Sequence, residues 1–223
     1  MIRSTSRRFS RAIRGATVVA ALGLVLGACS TGGVGVSGSA KPLATTAKAA
    51  ACPTSQPAPL AAGQTRRVEI KTSKGSITLK IDGSLAPIAA GNFIALAACG
   101  FYNGVVFHRL VPGFVIQGGD PTGTGGGGPG YTIKDEPVTV AYHRGTLAMA
   151  RTSAPDSEGS QFFIVLDDNA ASALAQYNTY AIFGEVTDGM ATVDSIAAMP
   201  NSGQPSNTAL QPVAMEAVSV STP

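Results

Sequence analysis

The sequence predicts a mainly β domain, a closed antiparallel barrel with two capping α-helices. Three observations lead there. From Arg66 onward, short runs rich in Val, Ile, Phe and Thr recur between Gly, Pro, Asn and Asp, the pattern of strands joined by tight turns. Only two stretches carry helical spacing with recognisable end signals. A sheet of many short strands exposes edges, and closure removes them.

The elements follow in order. Val68 to Thr72 and Ser76 to Ile81 alternate apolar and polar residues around Ser73-Lys74-Gly75, which reads as a hairpin. Pro87 suits a first helical turn, and Ile88, Phe93, Ile94 and Leu96 follow it up to Gly100, so one helix of about 12 residues is expected there. Strand patterns continue at Gly145–Ala150, Gln161–Leu166 and Tyr180–Val186. A second helix fits Ala191–Met199 and a closing strand fits Pro212–Val220. The expected domain spans 65–221, and no internal repeat is visible.

The chain of 223 residues has a formal net charge of +3, but that value misleads. Residues 1–28 hold five arginines and no acid, which leaves 11 basic against 13 acidic residues in the rest. The body is mildly acidic and gives no reason to expect nucleic-acid binding. The leader has a basic start and an apolar stretch from Ala16 to Leu26, too short for a stable bilayer span, and reads as a signal peptide over 1–28. It ends Leu26-Gly27-Ala28-Cys29, which resembles a bacterial lipobox with Cys29 as the lipidated residue. An ordinary secretory cleavage is the other reading of that leader. Residues 29–64 are Ser, Thr, Gly, Ala and Pro with almost no large apolar side chains, and read as a flexible tether or a processed propeptide. Localisation outside the cytoplasmic membrane, held by a lipid anchor, follows as the expectation. Cys52 and Cys99 are left either to bridge in an oxidising compartment or to stay free.

The chemistry gathers in the stretch from Val105 to Asp120. Two strand-like runs flank Pro112-Gly113, and inside them sit Arg109 and Gln117, which a plain core strand would not choose. A two-residue turn at Pro112-Gly113 would pair Arg109 with Ile116 and send Gln117 to the opposite face. For Arg109 and Gln117 to share a pocket, the connection must be wider or bulged. Other candidate motifs are weaker. Gly123–Gly128 lacks the Lys-Ser/Thr of a phosphate loop and reads as a mobile turn. Asp167-Asp168 reads as a solvated pair at a strand end, and Ser160 lies in no nucleophile elbow. His108 and His143 stand apart, and no Cys/His cluster supports a metal.

The run Phe107-His108-Arg109-Leu110-Val111-Pro112-Gly113-Phe114-Val115-Ile116-Gln117-Gly118-Gly119-Asp120 resembles the central motif of the cyclophilins, the peptidyl-prolyl cis–trans isomerases. Gly159-Ser160-Gln161-Phe162-Phe163-Ile164 resembles a second motif of that family, and Gly100-Phe101-Tyr102-Asn103-Gly104 and Ile182-Phe183-Gly184-Glu185-Val186 resemble two more. The likeness covers about residues 66–221. It implies eight strands in the barrel, an isomerase with no cofactor and no metal, and a monomer whose partners are proline-containing peptides and exported client proteins. It places Arg109 on the catalytic arginine. Phe114, Val115, Phe163 and Leu174 fall on the proline pocket, and Gln117 and Gln161 on the groups that hold the peptide backbone. Ala150-Arg151 falls on a substrate-binding strand, and Tyr180 on a position often His or Tyr. The segment Asp167–Asn178 departs from the family pattern, with Ala173 where a Trp is usual.

These residue types suit the reaction. Rotation about X–Pro crosses roughly 18–20 kcal/mol and breaks no covalent bond, so no nucleophile is needed. An apolar pocket grips the ring, and an arginine donates to the carbonyl or the nitrogen as amide resonance is lost. A non-catalytic peptide-binding module or chaperone on the same fold is the alternative.

Overall fold

The computed structural model describes residues 51–222. The leader, Cys29 and the chain through residue 50 lie outside the described residues. Among the described residues the order is β1 (Thr65–Thr72), β2 (Gly75–Asp82), α1 (Pro87–Ala98), β3 (Val106–Val111), β4 (Val115–Gly118) and β5 (Thr146–Met149). Then come β6 (Phe162–Val165), α2 (Asp168–Tyr177), β7 (Ile182–Asp188), α3 (Met190–Ala197), β8 (Thr208–Ala214) and β9 (Ala217–Ser221).

The nine strands form one sheet in the order β8-β3-β4-β6-β5-β7-β2-β1-β9, each neighbour pair antiparallel. The expected closed eight-stranded barrel is thus an open, curled half-barrel of nine strands. The reason lies at the end of the chain. The predicted closing strand over Pro212–Val220 breaks at Met215-Glu216, so β8 pairs with β3 while β9 pairs with β1. Met215 N–H donates to Val105 O at 2.9 Å and Glu216 N–H to Lys71 O at 2.8 Å. The two edges are therefore bridged by the chain passing between them, not by a ladder.

Among the described residues there are three helices where two were expected. The missed one, α2, has alanines at most of its apolar positions and only Leu174 and Tyr177 as large ones, so its periodicity is faint. Its start is well marked: Asp167 caps it by accepting Asn169 N–H at 2.7 Å, and Asp168 sits in the first turn. The two aspartates are therefore a helix start. Helix α1 has no cap of its own at Ala86. Glu136 supplies one, its carboxylate accepting Ile88 N–H at 2.9 Å and Ala89 N–H at 2.8 Å.

The sheet is buried on both faces in its middle, and β6 shows how. Phe162 and Ile164 join the main core, while Phe163 and Val165 join a second apolar cluster with Ala170, Ala171 and Leu174 of α2. Phe93 of α1 anchors the main core, with Tyr102, Phe162 and Phe183 rings 5.1, 5.3 and 5.1 Å from its own. The second cluster lies on the face that carries the site.

Residues 51–64, assigned to the tether by composition, are a strap packed on the domain. Leu60 is 7% exposed within the main core, and its N–H donates to Pro87 O at 2.9 Å. Gly91 leaves room for this strap, since a Cβ there would collide with the Ala58 carbonyl. Cys52 is disulfide-bonded to Cys99 at the end of α1, 47 residues away in sequence. The strap has a single large apolar side chain and is held by backbone bonds and a covalent link, so hydropathy could not reveal it. Closing a loop of that length stabilises by about 2–4 kcal/mol. Cys52→Ala/Cys99→Ala should lose that amount in a urea titration, and an unchanged midpoint would show that the strap adds nothing.

Candidate active site

Strand register builds the site. Val111 pairs with Val115, leaving Pro112, Gly113 and Phe114 as a three-residue loop, closed by Phe114 N–H to Val111 O at 3.0 Å. Gly113 takes φ +69° there, a value that glycine adopts without strain. The loop is one residue wider than the tight turn, so Arg109 faces Gln117 directly. The register then shifts between Phe107 and Arg109, which makes His108 the bulged residue. Gln117 in turn pairs with Phe163, and Phe163 with Ala148. Arg109, Gln117, Phe163 and Ala148 thus form one row across β3, β4, β6 and β5, on the face that α2 partly covers.

A cavity of about 210 Å³ opens along this row. Phe114, Val115, Phe163 and Leu174 give it apolar walls, and Tyr180 packs edge-on against Phe163 at 5.4 Å. Arg109 and Gln117 line one side, Ala150 and Arg151 another. A second cavity of about 600 Å³ shares Gln117, Ala150 and Arg151 with the first and runs under the glycine-rich loop. Of the residues assigned from sequence, nine meet in the smaller cavity; Gln161 lines the larger one. Ala173 lines neither, and Tyr177, one turn further along α2, lines the smaller.

A directional hydrogen-bond relay fixes the polar wall. Arg109 Nη1 donates to Gln117 Oε1 at 3.3 Å, and Gln117 Nε2 donates to Gln161 Oε1 at 2.9 Å. Gln161 Nε2 donates to Gly125 O and Gly127 O, both at 2.9 Å. Each amide orientation is set by the next acceptor, and the series starts from the glycine-rich loop. That loop is ordered around Asp120, contrary to the mobile turn expected from its composition. The Asp120 carboxylate accepts N–H groups from Thr122, Thr124, Gly125 and Gly127 at 2.6–3.1 Å, and the Thr122 hydroxyl at 2.8 Å. Burial works against the charged form, but the N–H groups of Thr122 and Gly127 and the other donors win and hold its pKa down to about 2. The motifs assign Asp120 no role; the glycine-rich loop that starts three residues after Gly118-Gly119-Asp120 was the available sign of a side chain collecting loop N–H groups.

Arg151 is committed elsewhere. Its Nη1 lies 2.9 Å from Asp135 Oδ2 and its Nη2 donates to Ala154 O at 2.8 Å. Its guanidinium is thereby drawn into the loop, and it faces the groove as a fixed wall. His108 is buried, lines neither cavity, and is held below its ordinary pKa first by burial. Ser160 is fully buried and donates to Gly119 O at 2.6 Å, so it is a structural tie and not a nucleophile.

The smaller cavity is thus an apolar pocket with room for a small ring, with a cation and the oriented Gln117 amide in its wall and the Gln161 amide in the adjoining cavity. Known proteins are similar to this chain in sequence and fold. The profile of the family described as cyclophilin type peptidyl-prolyl cis-trans isomerase/CLD matches residues 67–220. A peptidyl-prolyl cis-trans isomerase of Acinetobacter baylyi is 45% identical over 158 residues, covering 69% of this chain and 84% of the relative. One from Helicobacter pylori is 43% identical over 141 residues, covering 60% and 81%. A crystal structure of a Cryptosporidium parvum cyclophilin type isomerase, in the presence of the dipeptide Ala-Pro, aligns with TM-score 0.62 and 35% identity over 70% of this chain and 99% of that one. The chain belongs to the cyclophilin-type peptidyl-prolyl cis–trans isomerases and has their isomerase activity.

Proposed function

We propose that the groove binds X–Pro segments of exported proteins and lowers the barrier to rotation without covalent chemistry. The observation that carries this reading is the row Arg109–Gln117–Phe163, which sets a permanent cation beside an apolar ring site. The proline ring lies among Phe114, Val115, Phe163, Leu174 and Tyr180. Gln117, Gln161 and the main chain of Ala150-Arg151 hold the flanking backbone. Arg109 donates to the proline carbonyl or toward the nitrogen as it becomes pyramidal, which favours the twisted amide over either planar form. The relay from the glycine-rich loop keeps Gln117 Oε1 turned toward Arg109, so the guanidinium is oriented before the peptide arrives. The test is NMR exchange on an Ala-Pro peptide. Catalytic amounts of the protein should speed exchange, and an unchanged rate would overturn the proposal.

The same proposal includes the place of work. The basic leader, its short apolar stretch and Leu26-Gly27-Ala28-Cys29 support export with lipid attachment at Cys29. The Cys52–Cys99 bridge agrees with an oxidising compartment. Cys29→Ser should shift the protein from the membrane fraction to the soluble or unprocessed pool. Persistent lipid labelling of that variant would remove the anchor from the account.

A further inference from the structure

Among the described residues three large apolar side chains are exposed: Val140 at 44%, Leu210 at 62% and Tyr177 at 69%. Single exposed apolar residues are ordinary. Tyr177 differs from the other two in its position, because it alone of the three lines the 210 Å³ cavity. Helix α2 puts it there. Leu174, three residues earlier and on the same side of the helix, is 3% exposed and forms part of the pocket wall. Tyr177 is the last helical residue, because Asn178 turns left-handed at φ +46° and its N–H returns to Leu174 O at 3.0 Å. The helix therefore seats a leucine in the pocket and stops with a tyrosine at its rim.

The pocket's other tyrosine is already spent. Tyr180 packs on Phe163, and its carbonyl accepts the Tyr142 hydroxyl at 2.8 Å. Tyr177, among the described residues, makes no side-chain hydrogen bond and stacks on no ring. A ring with an apolar face and a polar tip, free at the mouth of a peptide groove, suits contact with an apolar side chain while its hydroxyl stays in water. The wall shared with the larger cavity is made of Gln117, Ala150 and Arg151, and Tyr177 lines the smaller cavity only.

We infer that Tyr177 is a specificity-determining residue, one that selects substrates with a large apolar residue next to the proline. The inference rests on the isomerase reading and adds a substrate class to it. Tyr177 belongs to the helix that the sequence pattern did not reveal, and neither the composition of α2 nor the family motifs pointed to it.

The experiment measures kcat/KM on proline peptides in which the residue before or after proline is Leu, Phe or Gly, one position changed at a time. Gly is the reference because Arg109 and Arg151 would distort any comparison that used charged residues. The intact chain should prefer Leu and Phe over Gly at one of the two positions. Tyr177→Ala should lose about 5- to 10-fold on those peptides, mainly through KM, and change little on the Gly peptides. Tyr177→Phe should restore the preference. Equal losses on all peptides, no loss on any, or a loss confined to kcat would overturn the assignment while leaving the isomerase intact. A chain inactive on every peptide would overturn both readings together.

Discussion

Arg109→Ala is expected to lower kcat/KM for X–Pro rotation by about 30- to 1,000-fold, a loss of roughly 2–4 kcal/mol of transition-state stabilisation. The size follows from the type of interaction removed. The planar amide needs little from a cation, whereas the twisted amide exposes a nitrogen lone pair and a stronger carbonyl dipole. The guanidinium therefore binds the transition state more than the ground state, and kcat should carry most of the loss. Arg109 is only half-buried, and its side chain bonds Gln117 Oε1 at 3.3 Å, so the fold has little to lose. Thermal unfolding should stay within about 0.5 kcal/mol of the intact chain. Arg109→Lys keeps the charge but gives up the planar fork, and should recover only part of the rate. Full activity in Arg109→Ala would move the chemistry to another residue.

Glu158 should make the domain lose stability as pH rises through neutrality. Its side chain is 0% exposed, Oε2 has no hydrogen-bond partner, and Oε1 receives only a long bond from Ala181 N–H at 3.4 Å. Burial, with Asp135 and Glu136 adding to it against the Ala181 N–H and Arg151, pushes its pKa up to about 8. Tyr142 is the remaining titratable group coupled to it, and is itself pushed up to about 12, first by burial. Asp135 cannot share its arginine freely, since Arg151 is already engaged 2.9 Å away and Asp135 Oδ1 is also buried without a partner. A carboxyl raised in the folded state favours folding fully below its unfolded pKa, near 4.3, and that contribution disappears as pH climbs through about 8. The span corresponds to roughly 3–5 kcal/mol. Asp120 acts oppositely: held down to about 2, it stabilises above the ordinary aspartate range and loses that contribution as pH falls through its folded value. From these two groups, stability is therefore greatest near about pH 4 to 5, where Asp120 is ionised in both states and Glu158 has only begun to ionise in the unfolded chain. Urea unfolding of the intact chain and of Glu158→Gln at pH 5, 6.5 and 8 checks this. The glutamine variant should lack the fall toward pH 8, keep only the rise that buried His108 gives as pH climbs toward the ordinary histidine value, and be the more stable of the two at pH 8. Parallel slopes for both proteins would assign the pH dependence to other groups.

How much of this could be read from the sequence differs from element to element. The β1–β2 hairpin was legible because alternation and a Ser73-Lys74-Gly75 turn are local signals, and the pairing of Thr72 with Gly75 realises them. Helix α1 was legible for the same reason, from Pro87 and the apolar spacing after it. Helix α2 was not, since alanines pack against the second cluster without announcing a face. The apolar and polar residues of the groove could be named in advance, because their types fit proline binding and their motifs resemble a known family. Their arrangement could not. Whether Arg109 meets Gln117 or Ile116 depends on one residue in the Pro112-Gly113-Phe114 loop, and a slip of a single position turns every side chain to the other face.

The sequence by itself determined the strand-rich class, the helix that starts at Pro87, and the chemical inventory of the groove. Each of these depends on residues close together along the chain. Only the tertiary structure decided that the sheet stays open, that residues 51–64 strap α1, and that Glu136 caps a helix 48 residues away. It also decided that Glu158 is buried among acids and that Tyr177 stands at the rim of the pocket. These features are bonds and burials between segments distant in sequence. They are selected by which partners the folded chain brings together, and local propensity carries no record of that competition.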